Sequence, residues 1–456
     1  VADALAGLPV GATPEAVALR QRDKEALLGY LERLLAEDRA VAVAVDDALA
    51  AVGRDPDRLD ALLGAQYYRL AHWRAGGSDI NYRRFFNIET LVGLRMEDQE
   101  VFADTHALVL AWAETGQVDG LRIDHIDGLR NPLAYLQRLR QGAPEAWILV
   151  EKILGPDETL RLEWPVAGTT GYEFAAHAGG LLVDPAGEEP LTRLYREFTG
   201  IEEPYADIVR ARKRRVLRDM FGDEVRRLTA LLGEIAERHR RYRDLGETEQ
   251  REALQEVLAH LPVYRTYVRP ETGEVDPRDA AIIEGALARA QEERPDLQEG
   301  VWGLLRHTLL LEWPGVLEGE FVLRLQQLGG AVAATGVENT AFYVYNRLVA
   351  LNEVGAEPDR FGVPPEAFHA HCRAVQEAWP QTLLATSTHD TKRGEDVRAR
   401  LYLLSEIPGA WEEAVRRWAA HNARHRRGDL PDRNAEYLLY QTLVGAWPID
   451  AERLGE

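Results

Sequence analysis

Only one of the 456 residues is a cysteine, Cys372. A lone thiol excludes an internal disulfide framework and any Cys-rich zinc site, and it fits a reducing cytosol. Basic residues are too few to balance the acids: Lys and Arg total 54 against 75 Asp and Glu, a formal net charge of −21. Nucleic acid and anionic membrane surfaces favour basic faces, so neither is an expected partner. No apolar run approaches the roughly 18 residues that cross a bilayer. The start, Val1, lacks the charged-then-apolar pattern of a secretory signal. There is no internal repeat and no low-complexity tract. What remains is ample: 46% of residues are apolar and 28% charged. The length suits about three domain-sized units, or one barrel with a large insertion. The chain reads as an acidic cytoplasmic enzyme or scaffold.

Residues 13–74 read as helices, with Leu27, Leu28, Leu31, Leu34 and Leu35 at helical spacing, a break at Gly53–Asp57, and a second run through Leu59, Leu62, Leu63 and Tyr67. The aromatic and basic segment 81–86 has no clear period, and a further helix is expected over about 99–115. Val118–Ile126 (VDGLRIDHI) reads as a strand. Asn131 as N-cap and Pro132 in the first turn then open a helix that Gly142 and Pro144 close, and Trp147–Ile153 (WILVEKI) is a second apolar strand. Strand, helix and strand with short links predict parallel pairing and a right-handed crossover. The stretch 188–261 reads as helical. Its basic run, Arg210–Arg215, is followed by Asp219, Asp223 and Glu224, and so suits a solvated helix face. Pro262, Pro270, Gly273 and Pro277 mark 262–300 as a connection, a second α/β stretch is expected from Val301, and Thr382–Asp390 (TLLATSTHD) reads as another strand.

The acidic residues at the strand ends carry the chemistry. Side chains at i and i+2 of a strand share a face, so Leu121 and Ile123 are expected against helices while Arg122 and Asp124 point the other way. In a parallel barrel that direction leads to the C-terminal rim, where active sites form. A guanidinium two residues from a carboxylate favours its ionised form, which a nucleophile for an acetal carbon requires. The second strand repeats the pattern: Trp147, Leu149 and Glu151 on one face, Ile148 and Val150 on the other. Asp124 and Glu151 lie one βα repeat apart, on neighbouring strand ends. Two carboxyl groups about 5–5.5 Å apart suit a retaining glycosidic mechanism. Asp390 closes Thr386–Asp390 as a third candidate. A single acidic strand end is more often a helix cap or a surface ion pair. His125 and Asp127 lack the further spaced His or Cys of a metal site, so no metal is expected. Three acidic strand ends with Arg or His adjacent, two of them in consecutive βα units, set a sugar-processing barrel level with that plainer reading.

The motifs themselves carry a resemblance. Gly120–Leu129 (GLRIDHIDGL) is similar to the nucleophile strand of the α-amylase superfamily, glycoside hydrolase family 13. Trp147–Leu154 (WILVEKIL) is similar to its acid/base strand, and Ser387–Asp390 (STHD) to its third-carboxylate motif. Ile80–Phe86 (INYRRFF), Gly168–Phe174 (GTTGYEF), Gly336–Leu348 (GVENTAFYVYNRL), Leu351–Gly355 (LNEVG) and Ala385–Arg400 (ATSTHDTKRGEDVRAR) narrow the likeness to one trehalose-forming branch. The resemblance implies Asp124 as nucleophile, Glu151 as general acid and base, and Asp390 as transition-state stabiliser. It implies Arg122 holding Asp124, with His125 and His389 on hydroxyls of the reacting sugar. Tyr172, Phe342, Tyr343, Tyr345, Lys152, Lys392 and Arg393 are weaker substrate-binding candidates, and Phe342 and Tyr345 read equally well as core. The implied reaction moves the reducing-end α-1,4 bond of a maltooligosaccharide into an α,α-1,1 bond, without cofactor or metal. Segments 76–98 and 160–180 are where closure over the freed glucose is expected. The alternatives are an α-glucan hydrolase of the same superfamily and an inactive glucan-binding fragment.

The implied fold is α/β, a (β/α)8 TIM-type barrel with large helical insertions. The expected division is a helical lead-in over 1–116, barrel core over 117–187, helical insertion over 188–300, and further barrel over 301–456. One departure stands out. The superfamily carries an Asn-His motif ahead of the nucleophile strand, and no Asn here precedes a His. The chain also stops soon after Glu436–Trp447 (EYLLYQTLVGAW). The expectation is an incomplete barrel, lacking its first strands and its last, with little or no activity unless its partner, the missing barrel segments, is supplied.

Overall fold

The computed structural model describes residues 1–72, 74–75, 80–155 and 157–447. The chain divides into two units, Val1–Gly76 and Gly77–Glu456. The first holds α1 (Ala2–Ala6), α2 (Pro14–Glu37), α3 (Arg39–Gly53) and α4 (Pro56–Gly64). Its boundaries follow from capping: Thr13, Asp38 and Asp55 accept the first free amides, and Pro14 and Pro56 sit in first turns. Asp55 makes the break expected at Gly53–Asp57. No residue of α2, α3 or α4 is buried.

The second unit opens with a short antiparallel hairpin, β1 (Arg84–Phe85) and β2 (Ile88–Val92). α5 (Gln99–Glu114) follows. Then β3 (Gly120–Ile123), α6 (Pro132–Gly142) and β4 (Trp147–Val150) form the predicted parallel βαβ unit, in the register Arg122↔Leu149 and Ile123↔Val150. Asn131 caps α6 by accepting from the Ala134 amide at 3.0 Å. β3 is shorter than its apolar pattern suggests. His125 takes φ +47° and a 3-10 turn over Ile126–Gly128 bends the chain away from the sheet. β5 (Gly168–Thr169) adds on the far side of β4, giving the parallel order β3-β4-β5. Ile148 and Val150 pack with Ile126, Leu136 and Leu139, while Leu121 and Ile123 lie against the same cluster.

Beyond the sheet the described chain is helical. α7 (Tyr172–Leu181) leads to α8 (Glu188–Thr199), α9 (Tyr205–Asp219), α10 (Gly222–Arg238) and α11 (Glu247–His260), matching the helical reading of 188–261. The expected connection over 262–300 contains a full helix, α12 (Pro277–Glu293). Asp276 is its N-cap and Pro277 its first residue, so a proline read as a breaker is a helix start. The expected second α/β stretch is corrected too. From Val301 the chain forms α13 (Glu299–Leu309) and α14 (Val316–Ala333), and α14 is buried on most of its faces. Apolar density alone does not separate a buried helix from a buried strand. Helices α10 to α14 share one core through Leu232, Leu254, Ala286, Leu305 and Phe321.

α15 (Pro365–Ala378), α16 (Glu395–Tyr402), α17 (Pro408–Asn422) and α18 (Arg433–Ala446) complete the chain. α8, α16, α17 and α18 pack around 341–351 in a second core. The strand predicted at Thr382–Asp390 is not formed. The segment lies beside β5, where Leu383 donates to the Thr169 carbonyl at 3.3 Å. The Thr169 amide, however, donates to the Thr382 hydroxyl at 3.0 Å and not to a backbone carbonyl. A side chain thus takes the donor that a ladder needs. The approach is closer than a Cβ permits: one on Gly168 would lie 2.3 Å from the Thr382 hydroxyl, and one on Gly171 2.5 Å from the Leu383 carbonyl. Among the described residues, then, the parallel α/β element is three strands. No described helix is long and apolar enough to cross a membrane.

Candidate active site

The ends of β3 and β4 meet a cleft of about 340 Å³ lined by Asp124, Glu151, His389, Asp390 and Lys392, with Phe85 and Phe86 also in its wall. Asp124 follows β3 directly and Glu151 follows β4, so the parallel register alone makes them neighbours. Arg122 bridges them. One terminal nitrogen hydrogen-bonds Asp124 and the other lies 3.9 Å from Glu151. Burial works against the Arg122 charge, but the hydrogen bond and charge of Asp124, then Glu151, outweigh it and hold the guanidinium above its ordinary range.

Glu151 is the more enclosed carboxyl, 17% exposed against 51% for Asp124. Burial pushes it up to about 7, and the Asp124 and Asp390 charges act the same way. The His125 backbone amide, donating to it at 2.6 Å, and Arg122 act in the opposite sense. The left-handed turn at His125 aims that amide at Glu151. Gly128 is required there, because a Cβ would lie 2.2 Å from the imidazole. The ring itself packs against Phe85 and Phe86, and burial lowers its pKa.

Asp390 arrives on the loop before α16. It accepts from the Tyr172 hydroxyl at 3.0 Å, and His389 lies 3.2 Å away. Thr388 fixes this corner twice, donating to the Tyr172 oxygen at 3.1 Å and accepting from the Asp390 amide at 3.1 Å. Burial raises the Tyr172 phenol, and Asp390 adds to the rise. Asp124, Glu151, Asp390, Arg122, His125, His389, Tyr172 and Lys392 are therefore brought together.

Five expected binding residues are not. Lys152, just past the end of β4, turns into the interior and not into the cleft. There it is buried, 3.1 Å from Asp127 and 2.9 Å from Glu158, and donates to the Ile153 carbonyl at 2.9 Å. All three of its donors are engaged away from sugar. Phe342 and Tyr345 sit in the helical core with Tyr195 and Leu348, as their alternative reading had it. Tyr343 is exposed, and Arg393 donates to the Val349 carbonyl at 3.1 Å.

Residue-by-residue reading missed Glu338 and Tyr264, which line the cleft and hydrogen-bond each other. Burial raises Glu338 above the ordinary carboxyl range, and Lys392 lies 3.8 Å from it. Glu338 ends a π-helical turn, Ala334–Glu338, that continues α14. Such turns recur at functional sites, but nothing in residue spacing announces one. Among the described residues, Glu256, His260 and Glu293 could group around a metal ion. Arg214 already sits 2.7 Å from Glu256 and also pairs with Glu293, while Arg210 lies 3.3 Å from Glu293. With two guanidinium groups filling it, the group is an ion-pair cluster.

No protein-family model matches the chain. Two curated relatives, from Mycobacterium tuberculosis strains CDC 1551 / Oshkosh and ATCC 25618 / H37Rv, carry the provisional name maltooligosyl trehalose synthase. Each is 39% identical over 389 residues, which is 85% of this chain and 47% of the relative. The solved maltooligosyltrehalose synthase of Arthrobacter ramosus superposes with a TM-score of 0.76 at 39% identity, covering 88% of this chain and 48% of that one. This chain is a relative of the maltooligosyltrehalose synthases. A crystal structure from Sulfolobus tokodaii, described as a hypothetical maltooligosyl trehalose synthase, extends the likeness with a TM-score of 0.68 and 33% identity over 86% of this chain and 47% of that one. The chain spans about half the length of the synthases it matches. The resemblance first seen in short motifs therefore runs through most of the chain.

Proposed function

We propose that this chain carries the reacting carboxylates of a maltooligosyltrehalose-forming transglucosylase acting on maltooligosaccharides. The observation that carries the reading is one cleft holding a paired carboxylate, Asp124 on Arg122, beside a carboxyl near neutrality, Glu151, with Asp390 oriented by Tyr172. A proton donor working near pH 7 needs such a pKa, while the attacking carboxylate must be ionised.

In this reading protonated Glu151 gives its proton to the glycosidic oxygen next to the reducing-end glucose. Asp124 attacks the anomeric carbon, and the rest of the glucan is held as a covalent ester. Asp390 stabilises the oxocarbenium-like charge between the two states. The freed glucose turns within the site. Its anomeric hydroxyl gives a proton to ionised Glu151 and attacks the ester carbon, releasing Asp124 and forming the α,α-1,1 bond. Two inversions retain configuration. Water must be kept out, because its attack at the same ester gives hydrolysis. His125 and His389 suit contacts to sugar hydroxyls, and Phe85 and Phe86 suit a face of the ring. In this reading β3, β4 and β5 are neighbouring strands of a (β/α)8 barrel of which the chain carries part. Residues 1–116 lead into it, 188–300 are inserted, and 301–456 continue it.

The test incubates maltohexaose with the chain, alone and together with the remaining segments of a full-length relative as a second chain. Reducing ends are followed alongside trehalose-terminated product. Loss of reducing ends with new α,α-1,1 linkages, abolished by Asp124→Asn while glucan binding persists, is the expected result. A rise in reducing ends means hydrolysis, and no turnover with the segments supplied overturns the assignment.

A further inference from the structure

A second cavity, about 620 Å³, opens beside the carboxylate cleft and shares Phe86 and His125 with it. Its wall is basic in a chain whose formal charge is −21. Much of that basic character is neutralised locally. Arg84 lies 3.4 Å from Glu224, Arg95 lies 3.6 Å from Glu97, and Arg130 and Arg324 share Glu320. Arg83 and Arg227 are different. Arg83 donates to the Gly128 carbonyl at 2.9 Å, and Arg227 donates to the Ile80 carbonyl. Among the described residues no carboxylate oxygen lies within ion-pairing distance of either. Each guanidinium offers five donors, so most of its donor capacity is uncommitted.

We propose that this cavity is an oxyanion-binding site, in which Arg83 and Arg227 hold a phosphate group, either inorganic phosphate or the phosphoryl group of a hexose phosphate. Planar guanidinium groups recognise phosphate oxygens through paired charge-assisted hydrogen bonds. Partial enclosure strengthens those bonds, because competing water is thinned out. Local charge supports the assignment. Three glutamates face six arginines on the wall, and Glu320 is already divided between two of them. A neutral sugar would not offset this excess, whereas a dianion would. The volume exceeds that of a bare phosphate and leaves room for a hexose attached to it. Because the cavity borders His125, whose amide holds Glu151, an occupant would sit next to the turn that orients the proposed acid/base. The inference rests on the cavity and not on the transglucosylase reading, so the two fail separately.

The test is titration calorimetry of the chain with inorganic phosphate, glucose 6-phosphate and glucose, at constant ionic strength with chloride as the balancing anion. Saturable phosphate binding is expected, weakened at least tenfold in Arg83→Gln/Arg227→Gln and unchanged in Arg215→Gln, which alters an exposed arginine of α9 outside the cavity. Tighter binding of glucose 6-phosphate than of phosphate identifies the sugar phosphate as the ligand, and equal binding identifies phosphate alone. If the double variant does not fold, Arg227→Gln by itself is expected to weaken binding at least threefold. The proposal is overturned if phosphate does not bind, if it binds the arginine variants as well as the parent, or if glucose binds with the same arginine dependence while phosphate does not.

Discussion

A carboxyl held near neutrality inside a fold makes stability depend on pH, and Glu151 shows the sign. In the unfolded chain it titrates near its ordinary 4.5, and in the folded chain near 7. Between those values the folded state binds more protons, so its contribution to stability is complete below about 4.5 and is lost as pH rises through 7. Glu151→Gln removes this loss while keeping an acceptor for the His125 amide. The variant is expected to be more stable than the parent at pH 8, by ~1–3 kcal/mol, with the difference vanishing near pH 4.5. Paired urea melts at the two pH values check it, independently of any turnover. Lys152 makes the opposite case. Its ammonium is the cation between Asp127 and Glu158, all three buried. Lys152→Met strands both acids and should cost ~3–5 kcal/mol in the same melts. Glu151 and Lys152 both follow the end of β4, yet the carboxyl reaches the cleft while the ammonium turns into the interior. The motif resemblance put both at the sugar, and the ion pairs with Asp127 and Glu158 draw the lysine elsewhere. Glu338 was not legible by either route, because a π turn places it.

At the level of elements, the βαβ unit could be read from its letters because each part has a local cause: an Asn-Pro start, a Gly-Pro stop, and two apolar runs too short for helices. The segment 382–390 could not, since its failure to pair depends on Thr382 meeting Thr169 from more than two hundred residues away. The turn after β3 is likewise settled at long range. Arg265, fully buried, donates to the Asp127 carbonyl at 2.9 Å and to the Leu129 carbonyl, and Gln327 donates to the Gly128 carbonyl at 3.0 Å. Arg265 lies in the stretch, 262–300, that reads as a mere connection. The clamp holds the left-handed bend from which the His125 amide reaches Glu151. Arg265→Met keeps much of the apolar stem but takes this donor from the buried Asp127 carbonyl and the half-buried Leu129 carbonyl, each worth about 1–3 kcal/mol. The variant should unfold at lower denaturant, with a loss of ~2–4 kcal/mol. Amide exchange over 126–130 should rise more than exchange in α10 or α14. A uniform rise across the sheet and both helices would mean that the arginine supports general packing and not this turn.

Across the whole chain, cohesion is unevenly distributed. The Gly77–Glu456 unit contains the buried clusters, the largest running from Val216 to Val332 through six helices, α9 to α14. In the Val1–Gly76 unit, α2, α3 and α4 bury no residue, and Leu28, Leu49, Leu62 and Tyr30 remain 40% exposed or more. Helices of this length draw most of their stability from packing an apolar face, and caps such as Thr13 and Asp38 supply only about 1 kcal/mol each. The helical period in the sequence announced that these helices exist but not how firmly they are held, since the same leucine spacing serves a buried face and an uncovered one. Native-state hydrogen exchange should therefore separate the units. Amides of α2, α3 and α4 should exchange through local opening, with protection at least a hundredfold below that of α11 and α14, and insensitive to mild denaturant. If the two sets exchange together with one shared denaturant dependence, the chain unfolds as a single cooperative body, and the exposed leucines of the first unit are covered in solution.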